Sequence, residues 1–161
     1  MINEDGIRAP HTLAEFFPWC ASLGLVDNKD ISRAFGRTPQ TIENWRRGHS
    51  RSGMPRIPAH LTLSCVGYEA LRRETGMFMP SDPPLTATMF RIWCSYYGLR
   101  TLSSVAEVFG VTRQAVHNWG VRGRLPKWLN MACHGHAHIQ NALYGKADGV
   151  ARPRRNARIS A

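Results

Sequence analysis

FGVTRQAVHNWGVRGRLPKW, residues 109–128, sets apolar anchors among polar residues at helical spacing. Val105, Phe109, Val116 and Trp119 fall so that two short helices would bury them together. Gly110 stands between the two, where a tight turn needs a residue that tolerates unusual backbone angles. Thr112 is a good N-cap, and Arg113, Gln114 and Ala115 then fill the first turn of a helix.

The same stretch occurs 74 residues earlier, with Phe35, Gly36, Thr38, Gln40, Asn44 and Trp45 against Phe109, Gly110, Thr112, Gln114, Asn118 and Trp119. The register holds upstream. Thr12, Phe16, Trp19, Cys20, Gly24 and Leu25 match Thr86, Phe90, Trp93, Cys94, Gly98 and Leu99. Downstream the offset falls to 68, with Pro58, Leu61, Cys65 and Gly67 against Pro126, Leu129, Cys133 and Gly135. The chain is thus an internal duplication whose first copy carries six extra residues between its Trp and its Pro.

These cores resemble the helix-turn-helix of phage repressors and Cro. The run Trp119, Arg122, Gly123, Arg124, Leu125, Pro126 resembles the Cro-like subgroup in particular. The resemblance implies an all-α fold, with two tandem helix-turn-helix domains of about four helices each. It also implies a sequence-specific DNA-binding transcriptional regulator from a bacterium or phage.

Composition is consistent with that expectation. An apolar content of 43% is ordinary for a globular chain, and the apolar runs are too short to span a membrane. The N-terminus lacks the apolar core of a signal peptide, so a cytoplasmic, nucleoid-associated protein with no membrane partner is expected. The net charge of +10 grows toward the C-terminus: +2 over residues 1–80, +4 over 81–150 and +4 over 151–161. Such an excess attracts polyanions, and double-stranded DNA is the one that suits this motif. Cys20, Cys65, Cys94 and Cys133 form two repeat-equivalent pairs without CxxC spacing and read as reduced core residues. In CHGHAH, His134 and His138 are four apart, but Val66 and Ala70 occupy these positions in the first copy. A polar helix surface is the better reading, and neither metal nor cofactor is expected.

Taken in order, residues 1–10 read as a loose start, 11–74 as the first domain and 75–84 as a proline-rich linker. Residues 85–145 read as the second domain and 146–161 as a basic, disordered tail. Helices are predicted over 11–23, 30–35 and 38–47, with another from Pro58 through Leu71. Their equivalents are predicted over 86–97, 102–109, 113–121 and 126–143. Pro18 threatens to kink or split the first helix.

If Ile42 and Trp45 (Val116 and Trp119) face inward, the 3.6-residue period turns the first, second, third and sixth positions of the third helix outward. These are Pro39, Gln40, Thr41 and Asn44 in the first copy, and Arg113, Gln114, Ala115 and Asn118 in the second. The resemblance implies that such positions meet base edges in the major groove. Arg113 can fork onto guanine, the Gln and Asn side chains can pair with adenine, and Ala115 or the Thr41 methyl can meet a thymine methyl. Pro39 has no such chemistry, and Glu43 brings a negative charge. Arg46, Arg47, Arg51 and Arg56 then point to compensation through phosphates, with Arg122 and Arg124 the backbone contacts of the second copy. The tail arginines either add an arm on DNA or remain solvated.

No nucleophile–base pair or phosphate-cradling loop appears, which argues against an enzyme. Because the two third helices differ at their first, third and fifth positions, two non-identical half-sites are expected, bound by a monomer or a homodimer. Three readings compete. The first copy is a protein-contact domain, for instance for RNA polymerase; or the chain is the architectural partner of a recombinase or transposase; or it is an antitoxin-like masking protein.

Overall fold

Five threonines and an aspartate start the helices. Thr12, Asp27, Thr38, Thr86, Thr101 and Thr112 each have extended backbone and accept the amide of the third residue onward. Each cap satisfies a donor that the first helical turn leaves unpaired. In the computed structural model, which describes residues 7–48, 56–76 and 85–145, they open most of eight helices. The first copy holds α1 (Leu13–Ser22), α2 (Asn28–Ala34), α3 (Pro39–Arg46) and α4 (Ala59–Thr75). The second holds α5 (Ala87–Tyr96), α6 (Leu102–Phe109), α7 (Arg113–Arg122) and α8 (Leu129–Gly145). The fold is all-α; the described residues form no strand, and Thr12 and Arg56 make an isolated antiparallel bridge. No described helix is long and apolar enough to cross a membrane.

The turns that lead into α3 and α7 are built alike. Gly36 and Gly110 take φ of +58° and +61°, the left-handed region that glycine enters without strain. The next amide then bonds back to a carbonyl five residues earlier: Arg37 to Ser32 at 2.9 Å, and Val111 to Ala106 at 3.0 Å. Both glycines also have a neighbour where a side chain would go. A Cβ on Gly36 would lie 2.6 Å from the Trp128 amide nitrogen, and one on Gly110 would lie 2.8 Å from the Ala59 side chain. Trp128 and Ala59 belong to the opposite copy in each case.

Several boundaries differ from the sequence expectation. α1 runs through Pro18 unbroken, with Phe16 and Cys20 fully buried on either side of it. α2 begins two residues early because Asp27 caps it. α4 continues to Thr75 and closes on Gly76, so the proline-rich connection starts later; residues 77–84 lie outside the described residues. Residues 7–10 are not a loose start. Ile7 and Ala9 are buried in the first core, and the Ile57 amide bonds the His11 carbonyl at 2.9 Å. The apolar pair Ile7 and Ile57 explains the packing.

Each copy has its own aromatic core, and each core borrows from the other copy. Phe16, Ile31, Phe35, Ile42, Leu61 and Cys65 form the first, together with Met131 and Ile139 of α8. Phe90, Val105, Phe109, Val116, Trp119 and Trp128 form the second, with Leu63 of α4 packed against it. All four cysteines are free and buried. Burial pushes the Cys20 thiol up to about 12 and Cys94 up to about 11, and raises Cys65 and Cys133 as well, so these side chains behave as small apolar groups.

α4 and α8 lie side by side and run in the same direction. The His60 ring stacks on Trp128 at their starts, with centroids 4.3 Å apart, and Gly67 meets Gly135 further along. At the glycines the backbones touch. A Cβ on Gly67 would overlap the Met131 carbonyl oxygen, and one on Gly135 would overlap that of Leu63. Gly67 matches Gly135 and Leu63 matches Met131 under the 68-residue offset, so each contact has its reciprocal. Such reciprocity marks an isologous interface. The two copies are related by an approximate two-fold axis along α4 and α8.

Candidate nucleic-acid interface

The exposed faces of α3 and α7 carry most of the residues singled out above. Ile42 and Val116 are buried and fix which side faces out. Pro39, Gln40 and Asn44 are exposed on α3, with Thr41 half-buried beside them. Arg113 and Gln114 are exposed on α7, with Ala115 and Asn118 half-buried. Trp119 is buried, whereas Trp45 is only half-buried at the edge of its core.

One polar arrangement occurs in both copies. The Gln40 amide donates to Asn44 Oδ1 at 3.0 Å, and the Gln114 amide donates to Asn118 Oδ1 at 3.1 Å. In each pair the glutamine oxygen and the asparagine amide retain acceptor and donor capacity for a further partner. The caps match as well, since Thr38 and Thr112 hold the amides of Thr41 and Ala115 at 3.1 Å. The Thr41 hydroxyl lies 2.8 Å from Thr38 Oγ1.

The flanks of the two helices differ. Glu43 does not stand as a free charge: it accepts from Asn28 Nδ2 at 2.6 Å and from Arg47 Nε at 2.7 Å. Those bonds, Asn28 first and then Arg47, hold its carboxyl below the usual range. Arg46 donates to Asn28 Oδ1 at 3.1 Å and to the Val26 carbonyl at 3.3 Å, with its guanidinium 4.6 Å from the Phe17 ring centroid. Arg46 and Arg47, expected at phosphates, are therefore engaged within the chain while remaining exposed. Arg56 is exposed where it pairs with Thr12, and Arg51 lies outside the described residues. In the second copy Arg122 and Arg124 are exposed after α7. The basic tail lies outside the described residues.

His117, which replaces Glu43 in the second copy, was not singled out from sequence. It lines an open groove with Leu102, Thr112, Arg113 and Gln114. Its alignment with a charged position of α3 was the available signal.

The histidines of CHGHAH do not converge. His134 is exposed, whereas His136 is buried, contrary to a uniformly polar surface. Its ring sits edge-on to Trp93 and Tyr97, at 5.2 and 5.0 Å, and burial lowers its pKa. Among the described residues no three His, Cys, Asp or Glu side chains are placed to hold a metal ion.

No protein family matches this chain, and comparison with curated proteins and with solved structures finds no match.

Proposed function

We propose that this chain is a sequence-specific double-stranded DNA-binding transcriptional regulator that reads two non-identical half-sites with α3 and α7. The observation that carries this reading is the Gln–Asn pair, repeated with the same hydrogen bond on the exposed face of both helices. Amide side chains of this kind match the donor and acceptor of an adenine edge in the major groove. Two further features support it. The copies are related by an approximate two-fold axis, as the strands of a duplex are around an operator centre. The net charge of +10 favours a polyanion. In this reading Arg113 adds a guanine contact that Pro39 cannot make, and Arg122 and Arg124 hold phosphates.

A second reading is favoured by the first copy alone. Pro39 opens α3, and Arg46 and Arg47 are bound to Asn28 and Glu43. The first copy would then contact a protein while the second reads DNA.

Selection of bound duplexes from a random pool tests both. The two-reader reading predicts enrichment of two different half-sites in fixed register. A single enriched half-site would favour the contact-domain reading. A pool with no enrichment over its input would contradict sequence-specific binding.

A further inference from the structure

Arg37 immediately precedes the cap of α3, and its guanidinium lies among groups from both copies. It is 5.9 Å from the Trp45 ring centroid and 5.6 Å from that of Trp128, and it bonds His60 Nε2. His60 Nδ1 in turn lies 3.2 Å from the Phe109 carbonyl oxygen. A carbonyl can only accept, so Nδ1 carries the proton and Nε2 is the acceptor for Arg37. The result is a directional chain: guanidinium to imidazole, imidazole to the last carbonyl of α6.

Its ends are informative. Arg37 stands at the turn into α3, and Phe109 at the turn into α7. One imidazole thus ties together the two turns that aim the two helices. α4 and α8 join the copies through van der Waals contact, backbone against backbone at Gly67 and Gly135, and such contact carries less directional information than a hydrogen bond. Hydrogen bonds weaken steeply when bent. Moreover, no carboxylate pairs with Arg37 among the described residues, so its partners are the imidazole and two indole faces. In the duplicate positions stand Val111 for Arg37 and Trp128 for His60, so the tie is single.

We propose that Arg37 and His60, closed by Trp128, are positioning residues that fix the separation and rotation of α3 relative to α7, and so make the protein selective for the spacing between its half-sites. The spacing part rests on the DNA-reading proposal; the positioning part does not. On B-form DNA one added base pair moves a half-site by ~3.4 Å and rotates it by roughly a tenth of a turn, which a rigid pair of readers would detect.

Two measurements on the full chain separate these parts. Nitroxides carried on unnatural residues at positions 40 and 114 report the α3–α7 distance by pulsed electron resonance without DNA. The chain with Arg37 and His60 intact should give one narrow distribution. Arg37→Met, which fills the space without the charge, and His60→Phe, which keeps the stack on Trp128 without either hydrogen bond, should at least double its width, roughly, while circular dichroism shows native helix. A broad distribution with both residues intact, or an unchanged width in both variants, would overturn the positioning role. Affinity is then measured on operators with the spacer changed by one base pair. The unmodified chain should discriminate by about tenfold or more and Arg37→Met by about threefold or less. Equal discrimination by both would overturn the spacing role. Failure of the unmodified chain to bind any duplex specifically, with the distances behaving as expected, would overturn the DNA reading and the spacing role while leaving the positioning role standing.

Discussion

His60 couples a proton to the contact between the two copies. Burial, and then the neighbouring Arg37 guanidinium, lower its pKa from 6.5 to about 4, against a weaker opposing pull from the Phe109 carbonyl. The sign follows directly. As pH falls below the unfolded value the unfolded chain takes up a proton that the folded chain refuses, so stability drops between about pH 6.5 and about pH 4 and then levels off for this group. The loss should be on the order of 2–3 kcal/mol. His136 is also lowered by burial and the surface His134 by partial desolvation, so the measurement is a difference: urea midpoints of the unmodified chain and of His60→Phe at about pH 7 and about pH 4.5. The variant should show the smaller acid loss, and equal losses would contradict the assignment. None of this was legible from sequence. The duplication drew attention to positions that the copies share, whereas Arg37 and His60 matter because Val111 and Trp128 stand in their places. Conversely, the outward faces of α3 and α7 were legible because Ile42 and Val116 fix the buried side and the helical period fixes the rest.

At the scale of elements, helix starts were largely legible because Thr38, Thr86 and Thr112 announce them. Ends depended on tertiary contacts and were less so. α4 extends to Thr75 because its last turns still have α8 beside them, with Ile139 packed on the first core. The glycines of this pair were visible in the repeat, but their role was not, since nothing local says that two helices will touch there. Gly67→Ala and Gly135→Ala test it. Each Cβ would overlap a carbonyl oxygen of the facing helix, and neither backbone can yield. Overpacking should outweigh the helix propensity gained, for a net loss of about 2–3 kcal/mol. Gly120→Ala is the counterpart in α7. A Cβ there meets nothing within 4 Å, so the change should stabilise by about 0.5–1 kcal/mol. Thermal melts of the three variants decide, and a stabilised Gly67→Ala would contradict the close crossing.

At the scale of the whole molecule, the duplication was plain in the offsets of 74 and 68 residues, but the arrangement was not. Two tandem domains joined by a linker were expected; α4 and α8 also pack the two copies together about an approximate two-fold axis, with Met131 in the first core and Leu63 against the second. Charge acts at this scale too. If DNA is bound through many Lys and Arg contacts, affinity should fall by roughly 10³ or more between about 50 and 200 mM salt. Deleting residues 151–161, which hold four arginines, should flatten that slope without changing the preferred sequence. An unchanged slope would remove the tail from the interface. The claim that both copies read DNA is tested most directly by Gln40→Ala and Gln114→Ala, measured on the selected operator at one fixed salt concentration. Each should weaken specific binding by about 1–3 kcal/mol and relax preference at its own half-site, the two half-sites lying about one helical turn or more apart. A loss for Gln114→Ala with none for Gln40→Ala would contradict the two-reader account, and no loss for either would contradict base reading by these helices altogether.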